Sequence, residues 1–165
     1  MHFLMTMIER IVSGGQTGAD RAALDWAIAH GVSHGGWCPD GRKAEDGVIP
    51  AGYRVEELPG AGYRQRTKAN VRDSDATLII SLADELSGGS LATAKFADEL
   101  RKPWLHLSSN IDWKVRLDEW VTQHSIRVLN VAGPRASKEP AVGEFVCVVL
   151  DQLNNIRNIS DCDKP

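Results

Sequence analysis

Short apolar runs separated by longer amphipathic stretches set the rhythm of this chain. Runs over 8–12, 77–82, 103–107 and 127–131 are rich in Ile, Val and Leu and bounded by breakers, which predicts strands. Between them apolar residues return at i, i+3, i+4 and i+7 and predict helices over 17–30, 63–73, 90–101, 112–124 and 141–155. The last is the clearest: Val142, Phe145, Val146, Val149, Leu150 and Leu153 make one stripe. Gly31 stands where a left-handed residue ends the first helix. Strands that alternate with helices need right-handed crossovers and a mostly parallel sheet covered by helices on both faces, so the fold class is α/β. Residues 35–60 break the rhythm, being dense in Gly and Pro. A short strand near 36–38, a long loop and an extended piece at 53–58 are expected there. The polar stretch 157–165 reads as a disordered tail, which leaves 1–156 as a single domain.

At 165 residues and 42% hydrophobic content the chain buries one core and would be cramped as two domains. A net charge of −3 gives no global support to binding nucleic acid or an anionic membrane. No apolar run approaches the ~20 residues of a membrane span. The apolar stretch 1–7 is cut short by Glu9 and Arg10 before a signal-peptide core develops, and Met5 and Met7 are alternative starts. Cys38, Cys147 and Cys162 are odd in number, widely spaced and form no Cys-x-x-Cys pair, which fits a reducing cytoplasm and gives no structural zinc. His30 and His34 have a metal-like spacing, but Gly31 breaks the helix between them, so no metal site is read.

Candidate chemistry concentrates in three glycine-bearing loops. The first runs from a strand through Gly14, Gly15, Gln16, Thr17 and Gly18 into a helix carrying Asp20 in its first turn. Glycines let backbone N–H groups approach a ligand, Thr17 is the expected N-cap, and free N–H groups with the helix dipole favour an anion. The loop is neither a Walker A motif nor the usual dinucleotide fingerprint. The second loop, Ser87, Gly88, Gly89 and Ser90, again meets a helix start and adds two hydroxyls. The third, with Gly133, Pro134, Arg135 and Ser137, offers a guanidinium fork suited to phosphate. All three leave carboxyl ends of strands, where open parallel sheets bind ligands, so a small phosphorylated molecule is the expected partner. The helix at 63–73 carries Arg64, Arg66, Lys68 and Arg72. A basic face of this kind reads as solvated surface, with Arg66 and Arg72 kept as ligand candidates. Lys43 and Asp46, beside Glu45, lie in the long loop, where lids and ligand contacts occur, although loop polarity accounts for them equally. Asp75 reads as a structural turn acceptor and Cys38 as a half-buried thiol at a strand end. No Ser–His–Asp or Cys–His arrangement follows from spacing, and no catalytic residue is assigned.

The strings Ile-Val-Ser-Gly-Gly-Gln-Thr-Gly-Ala-Asp-Arg-Ala-Ala-Leu-Asp-Trp-Ala at 11–27, Gly-Trp-Cys-Pro-Asp-Gly-Arg-Lys-Ala-Glu-Asp-Gly-Val-Ile-Pro at 36–50 and Arg-Thr-Lys-Ala-Asn-Val-Arg-Asp-Ser-Asp-Ala-Thr-Leu-Ile at 66–79 resemble the proposed molybdenum cofactor carrier proteins. Lys-Pro-Trp-Leu-His-Leu from Lys102 and Leu-Asn-Val-Ala-Gly-Pro-Arg-Ala-Ser from Leu129 extend the resemblance to about residue 153. It implies a Rossmann-like three-layer fold of the SLOG superfamily, related to the LOG-type phosphoribohydrolases. It also implies a homo-oligomer, a dimer or tetramer, that holds the molybdenum cofactor (molybdopterin), a phosphorylated pterin, for molybdoenzyme acceptors, or else a nucleotide. LOG-type enzymes place an Arg before an Ala-Asp-Ala strand entry and a Pro-Gly-Gly-x-Gly-Thr-x-x-Glu loop after it. Arg66 falls at the first and Gly88-Gly89 at the second, but Ser87 replaces Pro, and Ala94, Lys95 or Phe96 stand where the Glu is needed. A binding protein is therefore favoured. The alternatives are a nucleotide-cleaving enzyme using Asp20, Glu45 or Asp46, and a nucleotide-gated interaction module.

Overall fold

The computed structural model describes residues 8–110 and 112–162, and side chains up to 156. The alternative starts Met5 and Met7, and residues 163–165 of the expected tail, lie outside the described residues.

Five strands form one fully parallel sheet in the order β2-β1-β9-β7-β8. They are β1 (Arg10–Val12), β2 (Ser33–Gly35), β7 (Ala76–Ser81), β8 (Trp104–Ser108) and β9 (Val128–Ala132). The helices are α1 (Ala19–Ala29), α2 (Tyr63–Arg72), α3 (Gly88–Glu99), α4 (Trp113–Gln123) and α5 (Val142–Cys162). Helices α1, α4 and α5 pack on one face and α3, with α2 behind it, on the other, giving the three-layer Rossmann-like fold. The six residues of β7 are all buried, as expected of a central strand covered on both faces. The stripe of α5 supplies Val142, Phe145, Val146, Val149, Leu150 and Leu153 to the main core, where they meet Ala23, Leu78, Leu117 and Leu129. Among the described residues no helix is long and apolar enough to cross a membrane.

The expected strands and helices lie within one or two residues of the observed ones, and four details differ. Gly18, not Thr17, is the N-cap of α1, because Thr17 directs its hydroxyl to Glu45. Helix α3 begins at Gly88 rather than Ser90. Helix α5 runs past Asn155 to Cys162, into the stretch expected as tail. Cys38 is fully buried among Leu24, Ala44, Ile49 and Val55, not half-buried, and burial pushes its thiol pKa up. Gly31 does end α1, at φ 65°.

Residues 33–60 hold more structure than their composition indicates. Strand β2 joins the main sheet, and at Gly36 the chain leaves it. An added Cβ there would lie 2.2 Å from the Ser13 carbonyl oxygen, and φ is 127°, so the exit needs glycine. Beyond it, β3 (Trp37–Pro39) pairs in parallel with β6 (Glu56–Leu58), and β4 (Lys43–Ala44) pairs antiparallel with β5 (Gly47–Val48). Arg42 organises this region. Its guanidinium donates to the carbonyls of Ile49 (3.0 Å), Val55 (2.9 Å), Pro50 (2.8 Å) and Tyr53 (3.1 Å). One side chain thus satisfies the backbone of the segment 49–55, which joins no ladder.

Hydrogen bonds to a charged donor contribute about 1.5–3 kcal/mol each when buried, and these are partly exposed. Arg42→Met is expected to lower stability by roughly 2–4 kcal/mol and to open 40–58 to limited proteolysis before the main sheet unfolds. A denaturation midpoint and cleavage pattern equal to wild type would show that the loop holds itself.

Candidate functional site

A cavity of about 730 Å³ opens at the carboxyl ends of β1 and β9, the edge at which the three glycine-bearing loops converge. Gly14, Gln16 and Asp20 form part of its lining, with Ser87, Gly88, Gly89 and Ser90, and with Gly133, Pro134, Arg135 and Ser137. Helices α2 and α3 wall it with Tyr63, Arg64, Arg66, Thr93 and Phe96, and β9 contributes Asn130 and Val131. Of the expected site residues, the structure keeps Gly15, Thr17, Gly18, Lys43, Asp46 and Arg72 off this lining.

Each displacement has a physical cause. Arg72 pairs with the adjacent Asp73, which also accepts the Trp37 indole N–H, on the outer side of α2. That carboxyl is held at about 2, first by Arg72. Asp46 binds Arg21 bidentately, and Lys43 is exposed on β4. A Cβ on Gly15 would meet Ile49 Cδ1 at 2.9 Å, so the side-chain position of this glycine lies against the core cluster around Ile49. Gly18 has φ 80° and abuts the Pro134 carbonyl at the junction with the third loop.

The first loop is partly closed by its own contacts. Its Gln16 N–H donates to Asp20 Oδ2 (3.3 Å), its Thr17 N–H to Gln16 Oε1 (3.0 Å) and its Ala19 N–H to the Pro134 carbonyl (3.1 Å). Glu45 closes the rim. Its carboxylate accepts from the Thr17 hydroxyl, from the Ser137 N–H (3.1 Å) and from the Ser137 hydroxyl (2.5 Å), and these bonds hold its pKa down. Donors expected to meet a ligand are spent on a side chain of the long loop.

Free donors gather instead at the N-terminus of α3. The first N–H groups of a helix have no intrahelical partner. Ser87 makes no capping bond, because its hydroxyl accepts from Lys138 Nζ at 2.8 Å. Gly88, Gly89 and Ser90 therefore present N–H groups to the cavity with the positive end of the helix dipole behind them. Lys138 and Arg135 flank that end, and the Arg135 guanidinium lies 5.8 Å from the Tyr63 ring centroid.

At the opposite end Arg66 crosses over Gly14. A Cβ on Gly14 would sit 1.6 Å from Arg66 Nη1, so the glycine exists to admit this guanidinium. Arg66 Nη1 donates to Asp20 Oδ2 at 3.1 Å, with side-chain exposures of 12% and 5%. Burial pushes the Asp20 carboxyl up, against the opposing pull of Arg66 and of the Gln16 N–H. Arg66 Nε and Gln16 Nε2 are buried without partners. Phe96 lies under the guanidinium of Arg64, whose Cζ is 4.8 Å from the ring centroid. Among the described residues no cluster of three metal-ligating side chains occurs.

Sequence reasoning missed Lys138, Phe96 and Asn130. Lys138 directly follows the third loop, and Asn130 interrupts an otherwise apolar strand, so both left a trace. Phe96 left none, since its spacing on α3 is that of an ordinary core residue.

Fold and cavity together define a Rossmann-like α/β domain with a cationic cleft at the carboxyl edge of its sheet. The chain belongs to the circularly permutated YpsA SLOG family, which matches residues 11–154. The proposed molybdenum carrier protein of Syntrophus aciditrophicus SB, known from a crystal structure, is similar at 47% identity and a TM-score of 0.83, over 88% of this chain and 94% of that one. An (E)-4-hydroxy-3-methyl-but-2-enyl diphosphate reductase aligns at 11% identity and a TM-score of 0.38, over 88% of this chain and 59% of that one, which is no likeness of fold. No curated protein matches the chain.

The Arg66–Asp20 pair makes a pH-dependent prediction. Removing one partner of a buried pair leaves an uncompensated charge and costs about 3–5 kcal/mol. In Arg66→Met the folded-state pKa of Asp20 lies above its unfolded value, so the fold takes up a proton more readily than the unfolded chain does. Its stability is then greatest at low pH and is lost as pH rises above ~4. Denaturant titrations of Arg66→Met are expected to show a larger deficit at pH 8 than at pH 5, and Asp20→Asn in the same chain to restore much of it. A pH-independent deficit would mean that Asp20 does not carry the charge.

Proposed function

We propose that the protein is a carrier that holds a phosphorylated pterin, the molybdenum cofactor, in this cavity. The observation that carries the reading is the asymmetry of the cavity: free N–H groups, Lys138 and Arg135 at one end, and Phe96, Val131 and Ala92 along the wall. A phosphate suits the first and a flat ring the second. Charge-assisted bonds at such a helix end contribute about 1.5–3 kcal/mol each, enough to hold a dianion against water. The similarity to the Syntrophus aciditrophicus SB protein supports the same cargo. A carrier also needs no proton donor beside the ligand, and α3 turns Thr93 and Phe96 to the cavity while Asp20 is tied to Arg66. A nucleoside monophosphate has the same outline of phosphate and flat ring and is the second reading, since a cavity of about 730 Å³ houses either. The proposal includes a homo-oligomer that hands its cargo to molybdoenzyme acceptors.

Incubated anaerobically with the molybdenum cofactor and desalted, the protein is expected to retain it, read as pterin fluorescence after denaturing oxidation and as molybdenum by mass spectrometry. Lys138→Ala is expected to weaken binding by roughly tenfold or more while the fold is kept, because Lys138 is exposed and borders the proposed phosphate end. Retention of neither pterin nor molybdenum by the wild type, beside micromolar binding of nucleoside monophosphates, would replace the first reading by the second.

A further inference from the structure

The end of the cavity away from α3 has a chemistry of its own. Gln16 is 6% exposed, and its side-chain oxygen accepts two backbone N–H groups, from Thr17 at 3.0 Å and Glu45 at 2.9 Å. Those two donors fix the amide orientation, since a flipped Gln16 would set N–H against N–H. Its Nε2 group is left buried without a partner, and so is Arg66 Nε. The two belong to one cluster, because the Gln16 backbone N–H and Arg66 Nη1 donate to the same oxygen of Asp20. Buried donors without acceptors are rare in folded proteins and mark a place where a further group is received.

Charge decides what that group is. At the start of α3, Lys138 reaches the Ser87 hydroxyl and, among the described residues, has no carboxylate partner within ion-pair distance. At the Gln16 end the guanidinium of Arg66 is already matched by Asp20. Donors that are polar but charge-balanced suit a neutral acceptor, a carbonyl oxygen or a ring nitrogen, better than a second oxyanion.

We propose that Gln16 Nε2 and Arg66 Nε read the ring carbonyl oxygen of an oxo-substituted heteroaromatic ring, whose two lone pairs can accept both donors. A 4-oxopteridine and a 6-oxopurine both present this oxygen. A 4-amino or 6-amino ring presents a donor in place of the oxygen and sets N–H against N–H, as adenine differs from guanine. The inference rests on the cavity being the site of a phosphorylated flat ring, and adds which rings it accepts.

The test compares matched ligands by isothermal titration: GMP with AMP, and a 4-oxopteridine monophosphate with its 4-amino analogue. The oxo member of each pair is expected to bind at least roughly tenfold more tightly, because the amino member leaves buried donors unmatched. Gln16→Glu keeps the acceptor for Thr17 and Glu45 and replaces only the free donor, so in a variant with wild-type Tm the ratio is expected to fall to about one or reverse. Inorganic phosphate is expected to compete with both members alike. Equal wild-type affinities for oxo and amino rings would overturn the inference and leave the phosphorylated-ring reading standing. An oxo preference unchanged in folded Gln16→Glu would also overturn it. Two inorganic phosphates per chain, one of them lost in Gln16→Glu, would show a second oxyanion site instead. Binding of no member of either pair would overturn both readings.

Discussion

The ion pair between Arg66 and Asp20 is the contact on which the site stands. A guanidinium from α2 reaches across Gly14 to a carboxylate in the first turn of α1, and both are withdrawn from water. Such a pair is not there for stability, since desolvation cancels most of its Coulombic gain and apolar residues of similar volume often do as well. It fixes position instead. With Arg66 over Gly14, the first loop, α1 and α2 have one mutual arrangement, and the space left between α2, α3 and β9 becomes the cavity. Asp20 also takes the Gln16 N–H, which sets the backbone from which the Gln16 side chain projects.

The loop that looks most like a phosphate cradle is in part scaffold. Strand, Gly-Gly and helix start are all present, but buried N–H groups must be satisfied whether or not a ligand arrives. Here the partners come from far along the chain: the Pro134 carbonyl for Ala19, and Glu45 for the Thr17 hydroxyl and both donors of Ser137. Glu45 behaves as an internal anion that joins the first loop, the β4–β5 hairpin and the third loop. The Arg21–Asp46 pair, one residue further, holds the same hairpin to α1. Glu45 and Asp46 thus belong to the site's frame.

What could be read from the chain follows from how local the cause is. The central strands were legible because burial on both faces makes each a continuous apolar run, as in Thr77-Leu-Ile-Ile-Ser. The stripe of α5 was legible because a helix repeats its core face within a single window. Within 33–60 the short strand near 36–38 and the extended piece ending at 58 were legible, but the order of 49–55 was not, since it comes from one guanidinium collecting four carbonyls and no periodicity announces that. The convergence of three loops was legible from the rule that parallel sheets bind at their carboxyl edge, whereas the owner of each donor was not. Whether a hydroxyl of the glycine-rich loop meets a ligand or a glutamate 28 positions away, as at Thr17, is a tertiary fact.

Taken together, these contacts separate holding from reacting. In the cavity lining the carboxylate of Asp20 is bound to Arg66, and α3 contributes Phe96 to the wall. The groups left free are donors: N–H at the start of α3, Lys138 and Arg135 at one end, and Gln16 and Arg66 at the other. On the proposed reading such donors would grip an oxygen-rich anion through several charge-assisted bonds. The substitution of Ser87 for proline fits this pattern. It supplies a hydroxyl that steers Lys138 toward the helix terminus and leaves the N–H groups of α3 uncapped by any side chain. On the proposed carrier reading, that helix start holds the ligand through backbone N–H groups rather than through a side chain.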